Sequence, residues 1–252
     1  MLELQNVTKE YAGGMFGTKK IKAVDDASFR IEPKERVGLV GESGCGKSTI
    51  ARMAGRLLLP SSGTITFNGE DILKMHRSAV KHYRTQVQMI FQNPQQSFSP
   101  RMKLYDTIAE PLRVHKLVSS REEEMERILA AMEQVGLTED IFTRFPHEIS
   151  GGQAQRLAIM RILMLSPKLI IADEPTSMLD VSVQAQILQL LTEAMQKVEA
   201  SLLFISHDLE VVRAMCDRII VMQDGKICEI DTTENIFQHP KHDYTKFLVQ
   251  NA

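Results

Sequence analysis

The chain predicts an α/β fold: a core of parallel strands, antiparallel strands toward the N-terminus, and a helical module inserted within the core. Three observations predict it. Arg36–Val40, Val87–Phe91, Leu169–Ala172 and Ser201–Ile205 are short, largely apolar runs, the pattern of strands covered on both faces. Stretches of helical periodicity separate several of them, as crossovers between parallel strands require. Between Gln92 and Ser150 the pattern becomes helical throughout after a turn-rich start. A length of 252 residues accommodates one large domain, or one domain with an insert.

In chain order, Leu2, Leu4 and Val7 give a first short strand, and Thr8–Tyr11 reads as a loop carrying one exposed aromatic. Tyr11 could stack on a purine or simply be a surface tyrosine; its spacing leaves both open. Ala12–Lys20 is glycine-rich and basic, the composition of a hairpin tip. Ile21–Ile31 alternates in part and predicts a strand. Glu32–Glu35 turns into the strand Arg36–Val40. Ser48–Leu58 predicts a helix that Pro60 ends. Ile65 and Phe67 share one face of a strand, with Asn68-Gly69 as its turn.

Asn93–Pro100 has no periodicity and reads as a linker. Ser120-Arg121-Glu122-Glu123 is a capping box. It opens a helix whose face is Met125, Ile128, Leu129, Met132 and Val135, ended by Gly136. Ser150 is suited to cap a helix bearing Leu157, Met160, Ile162, Leu163 and Met164, closed by Ser166-Pro167. Val183, Ile187, Leu190, Leu191, Ala194 and Val198 line another helix. Arg218–Met222 and Lys226–Ile230 flank Asp224-Gly225 as a hairpin. A short helix near Thr233–Gln238 and a last segment, 243–250, complete the chain. No internal repeat is visible.

Composition narrows the function classes. Hydrophobic residues make up 43% and charged residues 25%, ordinary for a globular protein. A net charge of −2 gives no basic field to attract nucleic acid. Cys45, Cys216 and Cys228 are scattered, without zinc or disulfide spacing, which fits a reducing compartment. Met1–Leu4 runs straight into a strand pattern, so no signal peptide is expected. No apolar run approaches the ~20 residues of a membrane helix. Work at a membrane would therefore require docking to something that spans it.

The chemistry concentrates in Gly41-Glu42-Ser43-Gly44-Cys45-Gly46-Lys47-Ser48-Thr49, which fits G-x-x-x-x-G-K-[ST] between a strand and a helix. The glycines let successive amides converge on an anion, and the helix N-terminus adds partial positive charge. Lys47 can reach β- and γ-phosphates, and the Ser48 hydroxyl can hold Mg²⁺. A plain glycine turn would not call for Lys followed by Ser at the helix start.

Two further buried strands end in Asp173-Glu174-Pro175 and Ser206-His207-Asp208. Carboxyl ends of parallel strands share one edge, so these loops are expected to meet at one phosphate. There Asp173 would join Ser48 around Mg²⁺, Glu174 would orient or deprotonate water, and His207 would contact the γ-phosphate. Gln92, at another strand end, could touch Mg²⁺ or water and report to the helical insert. Each alone has a bland alternative: a polar strand end with a turn, a satisfied structural histidine, a glutamine at a strand end that carries almost no information by itself. Their joint order around a complete glycine loop shifts the balance. Ser150-Gly151-Gly152-Gln153 resembles a second phosphate-binding helix start, but on the inserted module. A second copy facing head to tail could bring it to the first cradle. His239 and His242 lack further ligands for a metal and read as surface residues.

These residues together resemble the nucleotide-binding subunit of an ATP-binding-cassette transporter. The match runs through 41–49, Gln92, Ile149–Gln153, Asp173-Glu174, the Ser177–Asp180 loop and His207, in the family's order and over nearly the whole chain. The resemblance implies a P-loop NTPase (RecA-like) core with an N-terminal antiparallel β subdomain and an inserted α-helical signature subdomain. On that basis the core spans 1–92 and 166–236, the helical subdomain 93–165, and a short tail 237–252. It implies ATP and Mg²⁺ as ligands, Tyr11 stacking on adenine, and Ser150–Gln153 acting on ATP held by a second cassette.

A narrower resemblance is carried by Phe91–Pro94 leading to Ser99–Met102, by Asp180–Leu188, and by Phe237–Thr245. It points to peptide and nickel importers of bacteria or archaea. The implied partners are a second, often non-identical cassette, two membrane permeases and, indirectly, a substrate-binding protein, with the chain at the cytoplasmic membrane face. The class commonly continues past Tyr244-Thr245 into an extension, sometimes cysteine-bearing; here the chain ends at Ala252, and no iron–sulfur cluster is expected. Ile149, Ala154, Met160, Ile162 and Met164 depart from the usual signature helix without removing a catalytic group. The competing class is a soluble cassette ATPase uncoupled from transport, but such proteins usually fuse two cassettes or carry a long coiled-coil insert. A GTPase would need an N-K-x-D loop, which this sequence lacks.

Overall fold

A computed structural model of the chain describes residues 1–13 and 19–251. The N-terminal strands β1 (Leu2–Gly13) and β2 (Lys19–Ile31) pair with β4 (Ser62–Phe67) and β5 (Glu70–Asp71) as a four-stranded antiparallel sheet, order β2-β1-β4-β5. A second sheet holds β3 (Arg36–Val40), β6 (Val87–Ile90), β7 (Leu169–Asp173), β8 (Ser201–Ile205), β9 (Arg218–Gln223) and β10 (Lys226–Thr232). Its order is β10-β9-β3-β8-β7-β6, parallel except for the antiparallel edge strand β10.

Alternation along the parallel strands divides the interior in two. Ile170, Ala172, Leu202, Phe204, Ile219 and Val221 join the core under the helical insert. Their neighbours Leu169, Ile171, Leu203, Ile205, Ile220 and Met222 face the antiparallel sheet and α1 (Lys47–Ala54). Apolar runs with no polar face are what this two-sided burial requires.

The helical insert comprises α3 (Leu104–Val114), α4 (Arg121–Val135) and α5 (Gly151–Leu163), with α4 and α5 packed together and α5 also against α6 (Val181–Val198). Ser120 caps α4 by accepting from the Glu123 amide, and left-handed Gly136 ends it. A buried carboxylate ties the insert: Glu124 accepts from Arg113 and from the Tyr105 hydroxyl.

Several details differ from expectation. Thr8–Tyr11 is not a loop but part of β1: Thr8 pairs with Ser62 of β4, and Lys9, Glu10 and Tyr11 pair with Val24, Lys22 and Ile21 of β2 across register shifts. The helix expected over 48–58 ends at Ala54, because Arg56 takes a left-handed conformation (φ 52°). Its guanidinium donates to the Ile72 carbonyl. The strand expected to reach Phe91 ends at Ile90. The linker 93–100 contains a 3₁₀ turn, Pro94–Ser97. α2 (Arg77–Gln86), a largely polar helix whose apolar edge is only Ala79, Val80 and Tyr83, is anchored by Tyr83, which is buried against Phe67 and donates to the Ala54 carbonyl. α7 (Leu209–Met215), capped by Asp208, had no expectation either. The chain closes with α8 (Thr233–Gln238) and α9 (Asp243–Gln250). Residues 14–18 of the glycine-rich hairpin tip lie outside the described residues. Among the described residues, no helix is long and apolar enough to cross a membrane.

Candidate functional site

The strands β3, β8, β7 and β6 lie side by side and parallel. Their carboxyl ends therefore deliver the glycine loop, His207, Asp173-Glu174 and Gln92 to one sheet edge.

The glycine loop is shaped by backbone that L-residues adopt with difficulty. Gly41, Gly44 and Gly46 have φ of 151°, 84° and 109°. A Cβ on Gly46 would lie 2.2 Å from the Ala23 carbonyl oxygen, and one on Gly41 would lie 2.0 Å from that of Met222. Both glycines are thus required by close backbone approach as well as by φ. A Cβ on Gly44 would meet open space. Glu42 and Ser43 are exposed at the rim, Cys45 is buried beneath it, and Ser48 and Thr49 are half-buried in the first turn of α1. That turn carries no acidic residue, and its leading amides have no intrahelical acceptor, so the cradle offers donors to an anion.

Lys47 is only 5% exposed. Its ammonium donates to the Gly41 carbonyl at 2.7 Å and the Glu42 carbonyl at 2.8 Å, which folds the side chain across the loop. Burial pushes the neighbouring Cys45 thiol above its ordinary value, against the opposing effect of Lys47.

The other members are joined bond by bond. Ser48 Oγ donates to Asp173 Oδ1 at 2.9 Å. Gln92 Nε2 donates to Glu174 Oε2 at 3.2 Å. His207 Nδ1 lies 3.6 Å from the same Glu174 oxygen, beyond direct hydrogen-bond reach, and its side chain is 63% exposed. Glu174 takes a left-handed backbone (φ 48°), and its amide donates to the Ile205 carbonyl of β8. This turn ends β7. Such a conformation costs on the order of 1 kcal/mol in a non-glycine residue. Burial, assisted by repulsion from Glu174 and opposed by the Ser48 hydrogen bond, holds the Asp173 carboxyl above the usual aspartate value.

A cleft of about 380 Å³ is lined by Ser48, Arg52, Gln92, Asp173 and Met178 among others. Of these lining residues, the Ser48 hydroxyl, the Asp173 carboxylate and the Gln92 amide could supply an all-oxygen donor set. Hard oxygen donors in small number suit Mg²⁺, which retains water and takes the rest of its shell from phosphate. The residues present therefore fit that ion.

Tyr11 stands on β1 opposite Ile21, is 40% exposed, and has the Lys9 ammonium 5.4 Å from its ring centroid. Ala23, two residues along β2 from Ile21, abuts Gly46, so this strand pair borders the cradle.

Ser150-Gly151-Gly152-Gln153 lies apart from that cluster. Ser150 Oγ accepts from the Gln153 amide at 3.2 Å, and Gln153 Oε1 accepts from the Ser150 amide at 3.0 Å, a closed capping box. The Ser150 hydroxyl hydrogen remains available to donate outward. The two glycines have a packing role as well: a Cβ on Gly151 would meet Leu179 at 3.4 Å and one on Gly152 would meet Val183 at 3.0 Å. Among the described residues, no hydrogen bond or ion pair joins 150–153 to 41–49.

Three contacts at the site had no expectation. Gln95 Nε2 donates to the Ile149 carbonyl at 3.0 Å, tying the 3₁₀ turn after Gln92 to the residue before Ser150. The Gly225 amide donates to the Cys45 carbonyl at 3.1 Å. Tyr244 Oη accepts from the Glu42 amide at 2.9 Å. The last two bond the glycine loop to the C-terminal hairpin and helix. Phe237–Thr245 stood out only as a segment resembling one importer class.

The sheet order, the glycine cradle and the inserted helical layer define a nucleotide-binding cassette. The sequence profile of the family described as ABC transporter matches residues 24–177, and the chain belongs to that family. It is similar to the oligopeptide transport ATP-binding protein OppF of Streptococcus mutans, 45% identical over 99% of this chain and 80% of that protein. OppF of Escherichia coli is 46% identical over 92% of this chain and 69% of its own length. The dipeptide transport ATP-binding protein DppF of Lactococcus lactis is 43% identical over 100% of this chain and 80% of its own. Among solved structures, the dimeric post-hydrolysis state of the ATP-binding cassette MJ0796, bound to ADP and Pi, superposes with a TM-score of 0.83 at 29% identity. The match covers 92% of this chain and 99% of that one.

Proposed function

We propose that this chain is the ATP-binding and hydrolysing subunit of an ABC importer for oligopeptides or dipeptides, working beneath partner membrane subunits. The convergence of Ser48, Asp173, Glu174 and Gln92 on one sheet edge, joined by hydrogen bonds of 2.9 and 3.2 Å, carries the catalytic part. The relatives, which are peptide transport proteins, support the substrate class over nickel complexes and support transport over a soluble ATPase.

In this reading the amides of Gly44 to Thr49 and the Lys47 ammonium bind the triphosphate, and Tyr11 stacks on adenine. Ser48, Asp173 and Gln92 would hold Mg²⁺, which would supply positive charge against the phosphate oxygens. Glu174 accepts a hydrogen bond from water and directs it along the line of attack. Gln92, which already donates to Glu174, fixes that carboxylate's orientation, and His207 steadies the γ-phosphate from the β8 side. Ser150–Gln153 of a second cassette, identical or not, closes the site with its hydroxyl and helix N-terminus. Two permeases then feel the closure through the insert that Gln92 adjoins, and a substrate-binding protein delivers cargo on the far side. The chain itself would lie at the cytoplasmic membrane face.

The test is Glu174→Gln. It should retain ATP binding, reduce steady-state hydrolysis at least about a hundredfold, and accumulate an ATP-bound dimer measurable by size-exclusion chromatography. Undiminished hydrolysis would remove Glu174 from the mechanism.

A further inference from the structure

The C-terminal segment is fastened where it meets the glycine loop. Buried Glu229 on β10 accepts from the amides of Lys241 at 3.0 Å and His242 at 2.9 Å. His242 Nδ1 in turn accepts from the Tyr244 amide at 3.2 Å, capping α9. These bonds fix the start of α9, and Tyr244 is left only 7% exposed.

Its hydroxyl accepts from the Glu42 amide. That N–H shares a peptide unit with the Gly41 carbonyl, which accepts from Lys47 at 2.7 Å. The unit is trans, as no cis peptide occurs in the described chain, so its N–H and C=O point in opposite directions. One rigid plate is therefore held from behind by Tyr244 and in front by Lys47. Donation from the N–H also polarises the amide and strengthens its carbonyl as an acceptor.

We infer that Tyr244 is a positioning residue for the nucleotide site: through the Gly41–Glu42 peptide it sets where Lys47 presents its ammonium to phosphate. The inference rests on the ATP-binding reading above. It makes the C-terminal helix part of the nucleotide site, although Tyr244 follows Glu42 by 202 residues.

The test is a double-mutant cycle on nucleotide affinity, read by titrating the full chain with a fluorescent ATP analogue. Tyr244→Phe keeps the ring and removes only the acceptor, and should weaken binding about three- to tenfold. Glu42→Pro removes the donor from the same bond. Adding Tyr244→Phe to it should change affinity less than about twofold, because no bond remains to lose. In steady-state hydrolysis, Tyr244→Phe should raise KM for ATP while kcat holds, the pattern of lost binding rather than lost chemistry. Equal affinity in Tyr244→Phe and the unaltered chain would overturn the inference. An equal loss in both backgrounds would do so as well, since that is the signature of tail packing alone. An unaltered chain that binds no nucleotide would instead sink the ATP reading beneath it, and this inference with it.

Discussion

Single residues set the tolerance of the cradle, and two neighbouring glycines separate its causes. At Gly46 both φ and space forbid a side chain, because the Ala23 carbonyl stands 2.2 Å from where a Cβ would sit. At Gly44 only φ objects, as the surrounding space is open. Gly46→Ala should cost about 2–4 kcal/mol of stability and weaken nucleotide binding more than about tenfold. Gly44→Ala should cost about 1–2 kcal/mol, the left-handed penalty alone. Thermal melting with and without ATP distinguishes the pair. Sequence spacing marked both glycines because the motif is local, nine residues read in a row. It could not rank them, since Ala23 and Met222 come from distant strands.

Elements were legible to the extent that a periodic apolar face or a cap marks them. The run Leu169–Ala172 within β7 stood out because it is wholly apolar, as burial on both faces requires, and α4 because Ser120 and Gly136 bracket it. α2 escaped because only Tyr83 of its ten residues is buried. The continuation of β1 through Tyr11 escaped because strand pairing, not side-chain pattern, holds it. The placement of α9 against β10 was equally silent, resting on a carboxylate that accepts two backbone amides. Burial pushes the Glu229 carboxyl up, but its hydrogen bonds outweigh that and hold it below the ordinary glutamate value of 4.5. A depressed folded value means that this fastening stabilises the protein above about pH 4.5 and is lost as pH falls through the lower folded value. Glu229→Gln should therefore lower stability at pH 7 by about 1–2 kcal/mol, with a smaller deficit near pH 4. Urea titrations at the two pH values measure the difference.

For the whole molecule, the decisive fact is that four parallel strands end at one edge. Glycine loop, His207, Asp173-Glu174 and Gln92 could be expected to meet because strand type alone fixes which ends face together. Where the insert attaches could not be read in the same way. Gln95, just after Gln92, reaches the Ile149 carbonyl across 54 residues of sequence, beside the packing of α5 on α6.

That link has a consequence for a paired assembly. In the assembly proposed above, Gln92 would attend the nucleotide on its own cassette, Ser150 would be offered to the nucleotide on the other, and Gln95 would be a rivet between them. With the rivet in place, what one nucleotide does to Gln92 would alter the hand extended to its twin, and the two turnovers would keep time with each other. The rivet's own contribution to that synchrony would be about 1 kcal/mol, or some fivefold in affinity. Gln95→Ala should leave each nucleotide bound as before. The dependence of hydrolysis on ATP should lose its steepness, with a Hill coefficient falling toward one.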